Sequence, residues 1–104
     1  MAVVSNTSPI VLLAKIKRLR LLKELYGEVL LSPAVKVESV DKGKELGSRD
    51  VEEIERGMKE GWIRLVKLNR SQSRQAGSLV REARIGQGEG EALVLAKDKK
   101  TVAI

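Results

Sequence analysis

Four short apolar segments alternate with pairs of helical segments along the whole chain, and this alternation constrains the fold more than any other feature. The apolar segments are brief enough for strands, and each stretch between them is long enough for two helices. Strands separated by helices usually pair in parallel. The sequence therefore predicts the order β-α-α-β-α-α-β-α-α-β and a three-layer α/β/α sandwich with a mainly parallel central sheet of about four strands. The predicted strands are residues 2–5, 28–32, 62–69 and 101–104.

The predicted helices differ in how much apolar surface they carry. Residues 9–16 are apolar on almost every side, which predicts a buried helix. The next segment places Leu19, Leu22 and Leu25 at three-residue spacing and ends at Gly27, a residue type that commonly follows the end of a helix. It is therefore predicted to be amphipathic. The remaining helices are predicted at residues 33–43, 47–61, 71–86 and from about 89 to 100.

The helix predicted at residues 33–43 carries an acidic residue close to its start. Its spacing predicts that Ala34, Val37 and Val40 face the core. Glu38 then lies on another side of the helix, where it is free to act outside the core.

Charge and residue types narrow the classes of function. Lysine and arginine number 20 against 14 acids, and the net charge of +6 favours a polyanionic partner, above all nucleic acid. Aromatic residues make up only 2% of the chain, which disfavours recognition by base stacking. Cysteine and histidine are absent, so disulfides, zinc sites built from these residues and histidine-dependent triads are excluded. Any metal should be a hard cation with oxygen ligands, Mg²⁺ or Mn²⁺.

The chain has 104 residues, of which 42% are apolar, as expected for one small globular domain. No segment reaches the roughly 18 apolar residues of a membrane span, and the first residues lack the pattern of a signal peptide. We therefore expect a cytoplasmic protein with no membrane partner. Abundant Lys, Arg and Glu without Cys is also similar to the residue usage of thermophiles.

Polar side chains follow the predicted strands where helices begin. In parallel α/β folds these strand-to-helix junctions meet at one edge of the sheet, where ligands bind. Clustered carboxylates repel one another, and a divalent cation relieves that repulsion and can position water for attack on a phosphodiester. The sequence thus permits a metal-dependent nuclease site. Its candidate residues are Ser5, Asn6, Thr7 and Ser8 at the first junction, Glu38 beyond the second, and Glu89 and Glu91 at the last.

Each of these residues also has an ordinary structural interpretation. The residues of the first junction are common helix caps. An acid within a helix, such as Glu38, is usually exposed to solvent. Glu89 and Glu91 stand in a first helical turn, where acids interact favourably with the helix dipole. The residues alone leave both interpretations open.

The segments "VVSNTSPIVLLAKIKRLRLLKELYGEVLLSPAVKVE" and "GQGEGEALVLAKDKKTVAI" together closely resemble the PIN domain, in its prokaryotic VapC-like toxin branch. The resemblance extends over nearly the whole chain. It implies a flavodoxin-like α/β/α sandwich and a ribonuclease that depends on Mg²⁺ or Mn²⁺. It also implies RNA as substrate and, in many members, an antitoxin protein as partner.

The resemblance assigns roles residue by residue. Asn6 stands at the position of the family's first acid and offers a neutral carbonyl oxygen to a metal. Thr7 and Ser8 match hydroxyl positions that orient the first ligand or a metal-bound water. Glu38 matches the second acid. Glu89 matches the third acid most naturally, with Glu91 as a close competitor.

The resemblance also implies a departure from the family. The fourth acid, an aspartate, follows the last core strand, and this sequence ends on that strand at Ile104. We therefore expect residues 1–104 to form a single PIN-like domain without the last acid and the closing elements, with weak metal binding and impaired activity. The alternative is a non-catalytic PIN-like module that binds RNA or an antitoxin-like protein. Because an exposed sheet edge invites pairing, we also expect a homodimer or a larger assembly.

Overall fold

The elements of the chain follow the predicted order. The structure, a computed structural model, describes residues 2–104. Its strands are β1 (Ala2–Val4), β2 (Glu28–Leu31) and β3 (Ile63–Leu65). Its helices are α1 (Thr7–Lys15), α2 (Arg20–Tyr26), α3 (Pro33–Lys36), α4 (Lys42–Glu45), α5 (Asp50–Glu60), α6 (Arg70–Ala83) and α7 (Gln87–Asp98), and a π-helical segment (Val37–Asp41) joins α3 to α4.

The sheet is parallel, as predicted, and has the order β1-β2-β3. The fourth predicted strand, residues 101–104, contributes a single parallel bridge between Val4 and Ala103. Its backbone also accepts hydrogen bonds from Val4 and Asn6. The sheet therefore has three strands where about four were predicted, because the last segment pairs with β1 over too short a length to form another strand.

Aliphatic side chains alternate between the two faces of the sheet, since successive residues of a strand point to opposite sides. Val3, Val29 and Leu31 belong to a larger cluster that includes residues of α1, α2, α3 and α5. Val4 and Leu30 belong to a smaller cluster with residues of α7, and α6 packs on α7. Helices thus cover both faces, which confirms the predicted three-layer α/β/α architecture.

Two predictions about apolar helix faces are wrong in part. Helix α1 is not buried on every side, since Leu12 is 61% exposed. Leu19 and Leu22 are buried as an amphipathic helix requires, but Leu25 is 70% exposed. Each three-residue step falls about 60° short of a full helical turn, so two such steps carry Leu25 off the core face.

Within residues 2–104, each helix is too short or too polar to cross a lipid bilayer.

Trp62, the one tryptophan of the chain, lies at the junction of α5 and β3 in the larger cluster and is only 6% exposed. Its indole Nε1 donates a hydrogen bond of 3.0 Å to Glu60, and Arg20 contacts the same carboxylate at 3.2 Å. The indole N–H, more than the arginine, holds the pKa of Glu60 below its ordinary value. These contacts join α2 to the end of α5.

The tight contact between α5 and β3 predicts the effect of Gly57→Ala. A Cβ at this position would clash with Cδ1 of Ile63 and would lie 3.0 Å from Cζ2 of Trp62. We expect the crowding to lower the free energy of unfolding by about 1–3 kcal/mol, even though alanine favours a helix over glycine by about 1 kcal/mol. Urea unfolding followed by Trp62 fluorescence measures this change.

Gly77→Ala in α6 is the matched control. A Cβ there would have only a flexible guanidinium nitrogen of Arg81 nearby, at 3.4 Å. We expect it to raise the free energy of unfolding by about 0.5–1 kcal/mol. Equal effects of the two substitutions would show that the packing of α5 on β3 is looser than described.

Candidate active site at the carboxyl edge of the sheet

The ends of β1 and β2 place two serines side by side at one edge of the sheet. Ser5 and Ser32 directly follow these strands, and both are fully buried. The backbone N–H of Ser5 donates to the carbonyl of Leu30, and Ser32 caps α3 by accepting a hydrogen bond from the backbone of Val35 at 3.2 Å. Small buried hydroxyl residues therefore bring the starts of α1 and α3 close together at this edge.

Asn6 is the N-cap of α1, as the capping interpretation predicts. Its Oδ1 accepts a hydrogen bond of 2.9 Å from the backbone N–H of Thr7. Its own backbone N–H donates to the carbonyl of Ile104 at 2.8 Å. An amide oxygen accepts two hydrogen bonds, so the cap leaves Oδ1 with a second lone pair. Hydrogen bonds thus hold both the side chain and the backbone of Asn6, and Oδ1 can still accept one more hydrogen bond.

Glu38 lies beside the start of α1 because Thr7 binds it. The hydroxyl of Thr7 donates to Oε2 of Glu38 at 2.9 Å, across 31 residues of sequence. Glu38 is exposed, as its ordinary interpretation predicts, but this hydrogen bond holds it at the first junction. Ser8, the other predicted hydroxyl, is exposed in the first turn of α1.

The π-helical segment that carries Glu38 was not predicted. Val35 and Val40 are buried, at 0% and 2% exposure, whereas Val37 is 43% exposed and Ala34 is only half-buried. The predicted inward face of Ala34, Val37 and Val40 is therefore wrong except for Val40. An ordinary α-helix would keep a constant step along this stretch, but the wider π turn shifts the register by a residue.

Gly88 brings α7 against both Asn6 and Glu38. A Cβ at this position would lie 3.3 Å from Oε1 of Glu38, 3.4 Å from Oδ1 of Asn6 and 3.1 Å from Cγ2 of Val35. Glycine thus allows three elements that are distant in sequence to meet at one point. Sequence reasoning did not identify Gly88 as a site residue. The available signal was a glycine in the first turn of a helix, where it has a conformational cost.

Glu89 shares a cavity with Asn6. The cavity has a volume of about 170 Å³ and is also lined by Ala92, Leu93 and the C-terminal segment. Oε1 of Glu89 accepts a hydrogen bond of 3.2 Å from the backbone N–H of Gly86, so Glu89 also caps its own helix. The structure therefore brings Glu89 to the first junction, as the resemblance implied.

Glu91 makes different contacts. Its Oε1 accepts a hydrogen bond of 3.0 Å from the backbone N–H of Ala34, in the first turn of α3. Its Oε2 accepts another, of 2.9 Å, from the side chain of Gln87. Glu91 thus caps α3, a neighbouring helix. The ordinary interpretation predicts instead that Glu91 interacts with the dipole of α7, the helix that carries it. One carboxylate oxygen thus joins α7 to α3, and the other accepts a hydrogen bond from within α7.

The oxygen atoms near Gly88 are of the types that hard divalent cations bind. One amide oxygen and one carboxylate oxygen, from Asn6 and Glu38, approach the same glycine, and Glu89 lines the adjoining cavity. Such oxygens are the ligands that Mg²⁺ and Mn²⁺ prefer. Within residues 2–104, however, no three acidic side chains lie close enough to form a metal-binding group by themselves. The arrangement therefore depends on the neutral oxygen of Asn6.

Residues 2–104 match the family model DUF3368, whose description is PIN domain. The chain belongs to the PIN-domain family. The fold of this PIN domain is also similar to that of VapC20 from Mycobacterium tuberculosis, described as a Sarcin-Ricin loop cleaving toxin. The TM-score is 0.71 with 16% sequence identity, over 95% of this chain and 84% of VapC20. No curated protein sequence matches the chain significantly.

The contacts of Glu89 and Glu91 predict that removing the two side chains changes stability by different amounts. Glu91→Ala removes the acceptor for the N–H of Ala34, and we expect the free energy of unfolding to fall by about 0.5–2 kcal/mol, the usual range for loss of a helix cap. Glu89→Ala removes only an exposed hydrogen bond to Gly86, and we expect less than half of that loss. Urea unfolding of both variants tests this; a larger loss for Glu89→Ala would contradict the assignment of Glu91 as the structural acid.

Proposed function

We propose that this PIN domain is a metal-dependent endoribonuclease of the VapC-like class. Asn6, Glu38 and Glu89 would hold Mg²⁺ or Mn²⁺, and Thr7 and Ser8 would position water. The observation that carries the proposal is the convergence of Oδ1 of Asn6 and Oε1 of Glu38 at Gly88. The family membership and the fold similarity to a toxin that cleaves the Sarcin-Ricin loop support the choice of RNA as substrate.

The residues of the site have separate tasks in this proposal. Thr7 donates to Oε2 of Glu38 and so leaves Oε1 free on the side of Gly88 and Asn6. A divalent cation, when bound, would supply a Lewis acid that activates water and stabilises charge on the phosphate. Glu91, which the sequence left open as a ligand, is the weaker candidate for the third acid because both its oxygens already accept hydrogen bonds.

The charge of the site argues for weak cation binding. Glu38 and Glu89 contribute a formal charge of about −2, and Asn6 adds no charge where an aspartate would add another. Mg²⁺ gives up its water reluctantly unless charged oxygens draw it in. We therefore propose affinity in the millimolar range or weaker, with low nuclease activity.

A titration with Mn²⁺ tests the ligand set. We expect Asn6→Asp to strengthen Mn²⁺ binding about tenfold or more, because a carboxylate replaces a neutral oxygen. We expect Glu38→Gln to abolish measurable binding. Isothermal calorimetry on the parent and both variants measures the affinities, and cleavage of a labelled RNA in the same buffers should change in the same order.

Glu24→Gln, an exposed acid on α2, serves as the control for the loss of one negative charge and should bind Mn²⁺ like the parent. If Glu38→Gln also binds like the parent, the metal site is misplaced and Asn6 acts only as a cap.

The second candidate is a non-catalytic module that binds RNA or an antitoxin-like protein. It is favoured by a specific observation: within the described residues 2–104, no three acidic groups form a metal site, and each candidate acid already accepts a hydrogen bond. If the Asn6→Asp variant binds RNA but does not cleave it at saturating Mn²⁺, the non-catalytic function is favoured.

Exposed apolar side chains support the proposal of a homodimer or a larger assembly. Leu12, Leu25 and Leu46 are 61%, 70% and 85% exposed, and burying such side chains on self-association is favourable. We expect light scattering at high protein concentration to give the mass of a dimer or a larger assembly, and Leu25→Gln to shift it toward the monomer. A clean monomer for the parent protein would contradict self-association.

A further inference from the structure

Helix α6 carries a row of arginines that the candidate active site does not use. Arg70, Arg74 and Arg81 lie within about 40° of one another around the helix axis, at about 100° per residue, and Arg84 at the C-cap continues the row. All four are exposed. We call these four residues the α6 arginine face.

The α6 arginine face has little negative charge to balance it. Residues 70–84 contain four arginines and one glutamate, a net charge of +3 out of +6 for the chain. Within residues 2–104, the ion pairs involve other cations, and none includes an arginine of this face. Asp98 at the end of α7 accepts a hydrogen bond from Gln72 in the first turn of α6. The face is thus open to an external anion.

Small residues separate the arginines and leave room between them. Ser73, Gly77 and Ser78 line a shallow, open hollow on the surface of α6 together with Arg74 and Arg81. Guanidinium groups bind phosphate through two parallel hydrogen bonds, and serine hydroxyls add further donors. A hollow between two arginines therefore suits a phosphate group.

The packing of α6 on α7 orients the α6 arginine face relative to the site. A Cβ at Gly90 would lie 2.9 Å from Cγ2 of Val80 and 3.0 Å from the carbonyl oxygen of Ala76, so the two helices are in close contact. They run antiparallel, because Gln72 near the start of α6 binds Asp98 at the end of α7. The C-terminal end of α6 therefore lies beside the start of α7, where Gly88 meets Asn6 and Glu38.

We propose that the α6 arginine face binds the sugar–phosphate backbone of RNA and guides the strand toward the candidate active site. The proposal takes RNA as the partner from the proposed function. Contacts to phosphates are independent of base sequence, which agrees with a chain whose aromatic content is 2%. A second basic cluster, Lys15, Lys17 and Arg18, lies at the end of α1. This end is at the opposite edge of the sheet from the site, because α1 starts at the site and runs back along the sheet.

The test measures RNA binding by fluorescence anisotropy with a labelled single-stranded RNA. It uses the full chain with Glu38→Gln, in EDTA, so that neither cation binding nor cleavage affects the result. Arg70→Gln, Arg74→Gln and Arg81→Gln are combined in one variant. Loss of three phosphate contacts should reduce the slope of log K against log salt concentration by about 2, which corresponds to about 100-fold weaker binding at 0.1 M salt.

Two further variants keep the test specific. Lys15→Gln, Lys17→Gln and Arg18→Gln remove the same charge from the other edge and should leave the salt slope unchanged. Replacing the three α6 arginines by lysine should retain the slope. If the glutamine triple variant unfolds, the single substitution Arg74→Gln should lower the slope by about 0.7.

Equal effects of the two glutamine triple variants, or an unchanged slope for the α6 variant, would overturn the proposal. Failure of the parent to bind RNA would also overturn it and would favour an acidic protein as the occupant. Binding is measured without catalysis, so the two proposals can fail separately. If the parent protein binds RNA through α6 but does not cleave it, the role of the α6 arginine face is supported and the proposed nuclease activity is rejected.

Discussion

The parallel pairing of β1 with β2 brings the starts of α1 and α3 together at one edge of the sheet. Val3 pairs with Val29 and Val4 with Leu30, so the two strands end within one residue of the same level. Because both strands are sandwiched between two aliphatic clusters, a slip of one residue would turn each buried side chain to the other face. The burial that stabilises the sheet thus also places Asn6 next to the start of α3.

Much of the fold could be predicted from the sequence because strand and helix signals agree along the chain. The order of elements, the parallel sheet and the end of α2 at Gly27 all follow from local patterns. The exposure of Leu12 and the π turn near Glu38 could not be predicted, since both depend on which neighbours pack against a helix. Periodicity describes one helix at a time and cannot state where its partners lie.

The candidate site was predictable only in part for the same reason. Local chemistry identified the residues of the first junction, Asn6 among them, as possible helix caps, and the resemblance to PIN domains pointed to Glu38 and to Glu89 or Glu91. The sequence could not reveal that Glu91 contacts Ala34, 57 residues away, and this contact is what distinguishes Glu91 from Glu89. Gly88 was missed because a glycine in the first turn of a helix is only a weak local signal, and its importance comes from the lack of a side chain beside Asn6 and Glu38.

The unequal size of the two aliphatic clusters has a consequence for motion. Thirteen buried residues form the cluster beneath α1, α2, α3 and α5, whereas only five, three of them from α7, form the cluster on the other face. Local opening requires less free energy where fewer apolar contacts are broken. We therefore expect Asn6 and Glu38, which lie on the side of the larger cluster, to open at a higher free energy than α6 and α7. A ligand that bridges the two layers should raise the free energy of local opening of α7, and amide hydrogens of α7 should then exchange more slowly with solvent.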